Sequence, residues 1–163
     1  MLKSSRYPLF GFSLIELMVV LAMLSVLAML VMPLGEAVIQ AQQERELKQS
    51  LWEIRSAIDE YKKAYDAGAI DKSSSQFGYP ANLQVLVNGI TDIRAQSNGA
   101  TLYFLRRIPR DPFAPADLVP EQTWRLRSYA SSADNPKPGS DVYDIYPWSK
   151  DGVALDGTRY AQW

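Results

Sequence analysis

Glu16 is the one ionisable residue in the apolar run Phe12–Met32, FSLIELMVVLAMLSVLAMLVM. A carboxylate near the start of a membrane helix costs roughly 2–3 kcal/mol or more when unpaired, so a partner is expected. Cleavage between Gly11 and Phe12 would supply one: the new ammonium at Phe12 would stand four residues before Glu16, on the same helix face. The same ammonium on a staggered neighbouring helix would also serve, and that pairing would fix the stagger between subunits. In a low-dielectric setting either pairing is strongly attractive. The alternative is a Glu16 that snorkels to the interface without a partner.

Other chemistry is poorly supported. There is no histidine and no cysteine. That removes the commonest general base and the commonest transition-metal ligand, along with disulfides and thiol catalysis. Ser149-Lys150-Asp151 has no accompanying base or oxyanion arrangement, so no catalytic residue is assigned and the chain is read as a non-enzyme. The formal net charge of −1 carries no basic patch and gives no reason to expect nucleic acid. Tyr143, Tyr146, Trp148, Tyr160 and Trp163 gather near the C-terminus and are expected as sheet and core aromatics, not a ligand cage.

The elements that must position these residues follow from the apolar pattern. The run Phe12–Met32 would span roughly 30 Å as a helix, the thickness of a bilayer core. Lys3 and Arg6 precede it without an acid, which orients the N-terminus to the cytoplasm. No small-x-small cleavage site follows it, against a removed secretory signal. Pro33 and Gly35 either kink the helix or end it. From Glu36 to Ala67 the pattern is amphipathic: Leu47, Leu51, Ile54, Ile58, Tyr61 and Tyr65 recur at helical steps. This stripe is expected to pack on the chain's own head in preference to a coiled coil, with Gly68 as the stop.

The segment from residue 68 on is a mixed head. A short helix is expected over Ala81–Val87. Prolines 109, 112, 115 and 120 exclude regular structure around them. Thr123–Ala130 alternates as a half-buried strand, with Val142–Tyr146 as its partner beyond a polar loop at 131–140. The tail from Asp151 carries two Asp-Gly pairs, which are turn chemistry, and a possible last strand. The expected fold is α+β: a long N-terminal helix, transmembrane then amphipathic, on a small antiparallel sheet of two to three strands with long loops. The expected divisions are 1–11, 12–34, 35–67 and 68–163.

The order basic leader, Gly11-Phe12, Glu16 as fifth residue after the glycine, then an unbroken apolar helix resembles the type IV prepilin family. The resemblance implies cleavage after Gly11 by a membrane-embedded prepilin peptidase, N-methylation of Phe12, and retention of the apolar helix as a filament core. It also implies a lollipop-shaped subunit, with Pro33 at the position of a family helix-bending proline. The head is similar to the major pseudopilins of type II secretion systems at Pro109, Asp111, Pro112, Tyr143, Asp144, Ile145, Asp151 and Gly152. It departs from them at Ala114-Pro115-Ala116-Asp117, where that family has Gly-Asn-Pro-Tyr.

The resemblance implies a single-pass protein of the bacterial inner membrane with a periplasmic head, polymerising with copies of itself and with minor pseudopilins into a periplasmic filament. Its partners would be the peptidase, an inner-membrane assembly platform with its ATPase, and the lipid bilayer. A type IV pilus subunit is the alternative, and a signal-anchored periplasmic binding protein a remoter one. Calcium in the final loop is also implied, with Asp151 and Asp156 as carboxylate ligands and Ser149 and Val153 contributing backbone carbonyls. Calcium takes several oxygens in irregular geometry. No other cofactor is expected.

Overall fold

A computed structural model describes residues 13–149 and 151–163, with the side chains of all but residues 30–34 and 74. The chain is α+β. Helix α1 covers Leu14–Asp66 and α2 covers Gln84–Asn88. Strands β1 (Ile90–Thr91) and β2 (Thr101–Leu102) form one antiparallel pair, and β3 (Trp124–Arg127) and β4 (Asp144–Pro147) another. The chain divides into two units, Met1–Ile39 and Gln40–Trp163, so α1 belongs with the head from Gln40 on, five residues past the expected division.

The head is built on the α1 stripe. Leu47, Leu51, Ile54, Ile58 and Tyr61 are all buried, with Ala57 between them. They share a core with Ile70, Leu83, Leu86, Leu105, Ile108, Trp124, Val142, Ile145 and Tyr160. Tyr65, the last residue of the expected stripe, is only half-buried, and its hydroxyl donates to the Ser75 carbonyl at 3.0 Å. The helix stops as expected. Gly68 has φ +72°, its N–H bonds the Tyr65 carbonyl, and the Ala69 N–H bonds that of Ala64. This is a Schellman closure, whose left-handed residue favours glycine.

The expected alternation holds in part around strand β3: Trp124 and, just past the strand, Ser128 are buried and Arg125 and Tyr129 exposed, while Leu126 and Arg127 are both half-buried. The register pairs Trp124 with Pro147 and Leu126 with Ile145 on the core face, and Arg125 with Tyr146 and Arg127 with Asp144 on the other. The expected sheet of two to three strands is this pair alone. The possible last strand is reduced to one bridge, Val153 with Arg159. The β1–β2 pair has no counterpart among the expected elements, because two residues are too few to show a period. Helix α2 begins three residues later than expected, and the Asn82 side chain accepts the Val85 N–H at 3.1 Å, a side-chain cap on its first turn.

Two buried or half-buried charges tie the layers together. Arg55 of α1 donates to Asp144 Oδ1 at 2.8 Å, to the Ile145 carbonyl at 3.1 Å and to the Trp163 carbonyl at 2.5 Å. Asp111 is fully buried. Its Oδ1 accepts the Phe113 N–H at 2.8 Å and its Oδ2 the Trp148 N–H at 2.7 Å. The proline-rich loop thereby docks on the end of β4. Arg110 turns back on that loop, donating to the carbonyls of Leu118 and Pro115, which prolines cannot satisfy through a ladder.

Burial raises the Asp111 carboxyl above its ordinary value of 3.8, and the Trp148 and Phe113 N–H groups oppose that rise. With the folded pKa above the unfolded one, its contribution is fully present below about 3.8 and is lost as pH rises through the folded pKa. Asp111→Asn cannot titrate, so the stability of the wild type relative to this variant is expected to fall between pH 4 and pH 7. Asp111→Ala, which orphans two N–H groups, is expected to cost about 1–3 kcal/mol for each one left unsatisfied. Denaturant unfolding of the whole chain in detergent, followed by tryptophan fluorescence, measures both; an Asp111→Asn difference independent of pH contradicts the assignment.

Candidate functional site

Gly11 and Phe12, the expected cleavage and methylation site, lie outside the described residues. The description starts at Ser13, whose Oγ accepts the Glu16 N–H at 3.2 Å and whose carbonyl accepts the Leu17 N–H at 3.2 Å. Ser13 is thus the N-cap of α1 and Glu16 stands at the third helical position, the spacing of a capping box. A carboxylate in a first helical turn is also favoured by the helix dipole. The Ser-x-x-Glu signal was present in the sequence, and it gives Glu16 a local role in starting the helix. Among the described residues Glu16 has no salt-bridge partner.

Beyond that cap, α1 is apolar on every side. From Leu14 to Met29 its large side chains are exposed, between 47% for Val20 and 77% for Leu14. A helix that is hydrophobic all round is one that other molecules cover. Among the described residues no helix is long and apolar enough to cross a membrane; the described side chains of the apolar run stop at Met29. The helix passes unbroken through Pro33 and Gly35, so those residues do not end it. The Pro33 side chain lies outside the described set; its ring nitrogen has no hydrogen to offer the Met29 carbonyl.

The second candidate site is the C-terminal loop. Gln40 and Glu44, at the start of the head's share of α1, hold it. Glu44 Oε1 accepts the Leu155 N–H at 2.9 Å, the Tyr160 hydroxyl at 3.2 Å and the Gln40 amide at 3.0 Å. Gln40 also donates to the Val153 carbonyl at 3.3 Å. Within the loop the Ala154 N–H bonds Thr158 and the Gly157 N–H bonds Ala154. Tyr160 is buried against Phe113 and Trp163. Gly152 is required by close approach: a Cβ there would overlap the Tyr160 ring.

The expected calcium ligands are spread through this loop. Asp151 and Asp156 are both exposed. Asp156 Oδ1 accepts the Thr158 N–H at 2.9 Å and hydroxyl at 2.6 Å, and the hydroxyl bond, followed by the N–H bond, lowers its pKa. The Val153 carbonyl is engaged by Gln40, and Ser149 is half-buried. Among the described residues no group of three or more His, Cys, Asp or Glu is placed to hold a metal ion. Calcium takes six to eight oxygens, backbone carbonyls and waters among them; of the expected donors, Asp156 Oδ1 and the Val153 carbonyl already accept hydrogen bonds within the protein. Glu44, which sequence reasoning passed over, bonds the loop to the helix. Its loop contacts lie 111 and 116 residues away, beyond any local signal. Lys150 lies outside the described residues.

The C-terminal aromatics do not form one cluster. Tyr160 and Trp163 pack together, whereas Tyr143 joins Tyr79 and Tyr129 elsewhere. Trp148 lies beneath the Arg125 guanidinium.

Glu44→Ala is expected to speed amide exchange at Leu155 by roughly tenfold or more, for a loss of about 1–3 kcal/mol, with Glu44→Gln much milder because its oxygen still accepts. Hydrogen exchange on the whole chain reads this. If the clasp alone orders the loop, a chelator is expected to leave Leu155 protection unchanged in the wild type; protection that depends on added calcium shows that the metal orders the loop as well. No family model, no curated protein and no solved structure matches this chain.

Proposed function

We propose that the chain is a structural subunit of a type II secretion pseudopilus, a prepilin-like protein that polymerises through its N-terminal helix. The observation that carries the reading is α1 itself: one unbroken helix, capped at Ser13, apolar on all sides to Met29, then amphipathic with its stripe buried in the head. A soluble protein has no use for the first part of such a helix, and a removed signal would not continue into the core of the domain behind it.

In this reading the subunit waits in the inner membrane with its apolar helix in lipid and its head in the periplasm. Prepilin peptidase cleaves after Gly11 and methylates Phe12. An assembly platform driven by its ATPase then extracts the subunit, and neighbouring helices replace lipid as the cover for the apolar surface. The ammonium of Phe12 and the carboxylate of Glu16 on adjacent helices set the register. Growth of the filament moves folded substrates toward an outer-membrane channel. Pro33 softens the helix where a packed filament needs to adjust it.

In a host with an active prepilin peptidase, intact mass and N-terminal sequencing are expected to show a chain starting at methylated Phe12. Gly11→Ala is expected to abolish both changes. A wild-type chain still starting at Met1 overturns the proposal. Glu16→Ala is expected to preserve cleavage and the head's fold while sharply lowering filament yield, since removing one partner of a buried pair costs about 3–5 kcal/mol; unchanged yield, by sedimentation of sheared filaments, rules out the register role.

A further inference from the structure

The C-terminal loop has an outer face that the clasp leaves uncovered. Residues 153–159 form a small hairpin. The Val153–Arg159 bridge closes its base, the Gly157 N–H bonds the Ala154 carbonyl, and Leu155-Asp156 is its tip. Ala154 is buried, whereas Val153 and Leu155 on either side of it are 52% and 53% exposed. That alternation turns two aliphatic side chains to the same outer side. Bridge partners share a face, so the exposed Arg159 stands beside Val153. Asp156 is held in its turn by Thr158, and Asp151 lies exposed two residues before Val153.

From these contacts we infer that the hairpin is a lipid-interface anchor: Val153 and Leu155 enter the headgroup region of the bilayer while Arg159 meets lipid phosphates. The inference rests on reading the apolar run as a bilayer segment. The tether argues for it. The hairpin is bonded to Gln40 and Glu44, and Gln40 follows Met32, the last residue of the run, by eight positions. Eight residues amount to about 12 Å of helix and under about 30 Å at full extension. With the run embedded, that tether keeps the hairpin within reach of the membrane surface. An arginine with its charge at the phosphates and neighbouring aliphatics below is the arrangement that interface favours. The anchor would hold a waiting subunit's head against the bilayer, and extraction would have to release it.

The chain has no cysteine, so single nitroxide labels need no background removal. Val26→Cys, Asn135→Cys, Val153→Cys and Leu155→Cys would each be labelled in the whole chain. The chains would be reconstituted sparsely in vesicles of phosphatidylethanolamine and phosphatidylglycerol. Collision with oxygen against a water-soluble nickel chelate reads depth. Labels at 153 and 155 are expected to show an oxygen-to-nickel ratio several-fold above that at 135, approaching that at 26. If 26 reads as lipid while 153 and 155 read as water like 135, the anchor is overturned and the membrane segment stands. If 26 itself reads as water, the bilayer reading fails and the anchor with it. If 153 and 155 are shielded from both reagents only when protein density is raised, a second copy covers the hairpin and the lipid anchor is overturned.

Discussion

Helix α1 carries apolar surface of two kinds, and neither can be left in water. The stripe at Leu47, Leu51, Ile54, Ala57, Ile58 and Tyr61 occupies one side only, and the chain that follows buries it. Each such Leu or Ile contributes about 1.5–3 kcal/mol when buried. That stripe is the surface to which α2, β3, β4 and the last loop are fitted. Between Leu14 and Met29 the apolar side chains face every direction, and no part of one small domain can surround them. The need for cover from outside the subunit follows from that difference in pattern, and the proposed filament meets it with copies of the same helix.

The polar ties decide how the head sits on its stripe. Strands of two and four residues supply few ladder bonds, so side chains do much of the joining. Arg55 reaches from the helix to β4 and to Trp163, Asp111 joins the proline loop to the end of β4, and Glu44 with Gln40 holds the final hairpin. Each carries a polar side chain to backbone groups of a distant segment, and the half-buried ones among them matter most to stability. Prolines 109, 112, 115 and 120 make this necessary, because they withdraw the N–H groups that a sheet would use.

The clasp at Gln40 and Glu44 is also where structure and proposed function meet. It lies where the head begins on α1, a few residues past the apolar run. A carboxylate from the helix, Glu44, accepts from the loop at the Leu155 N–H and the Tyr160 hydroxyl. That clasp leaves Val153 and Leu155 exposed, and theirs is the aliphatic face the proposed anchor uses.

What the sequence determined is what short-range periodicity carries. The 4-3-4-3 stripe, the stop at Gly68, the alternation around Trp124 and the pairing of the two longer strands all follow from residues within one element or two neighbours, and the structure has them. The break between all-round and one-sided apolar character was equally legible. The Ser13–Glu16 cap was written there too, as the spacing Ser-x-x-Glu. Tertiary structure alone decided the rest. The β1–β2 pair is too short to show a period, and α2 starts where the Asn82 side chain caps it. Arg55 finds partners 89 to 108 residues away, Asp111 one 37 residues away, and Glu44 two at 111 and 116 residues. A charged residue in a sequence shows no sign of which distant backbone it will meet, because that choice exists only once the apolar stripe has drawn those segments together.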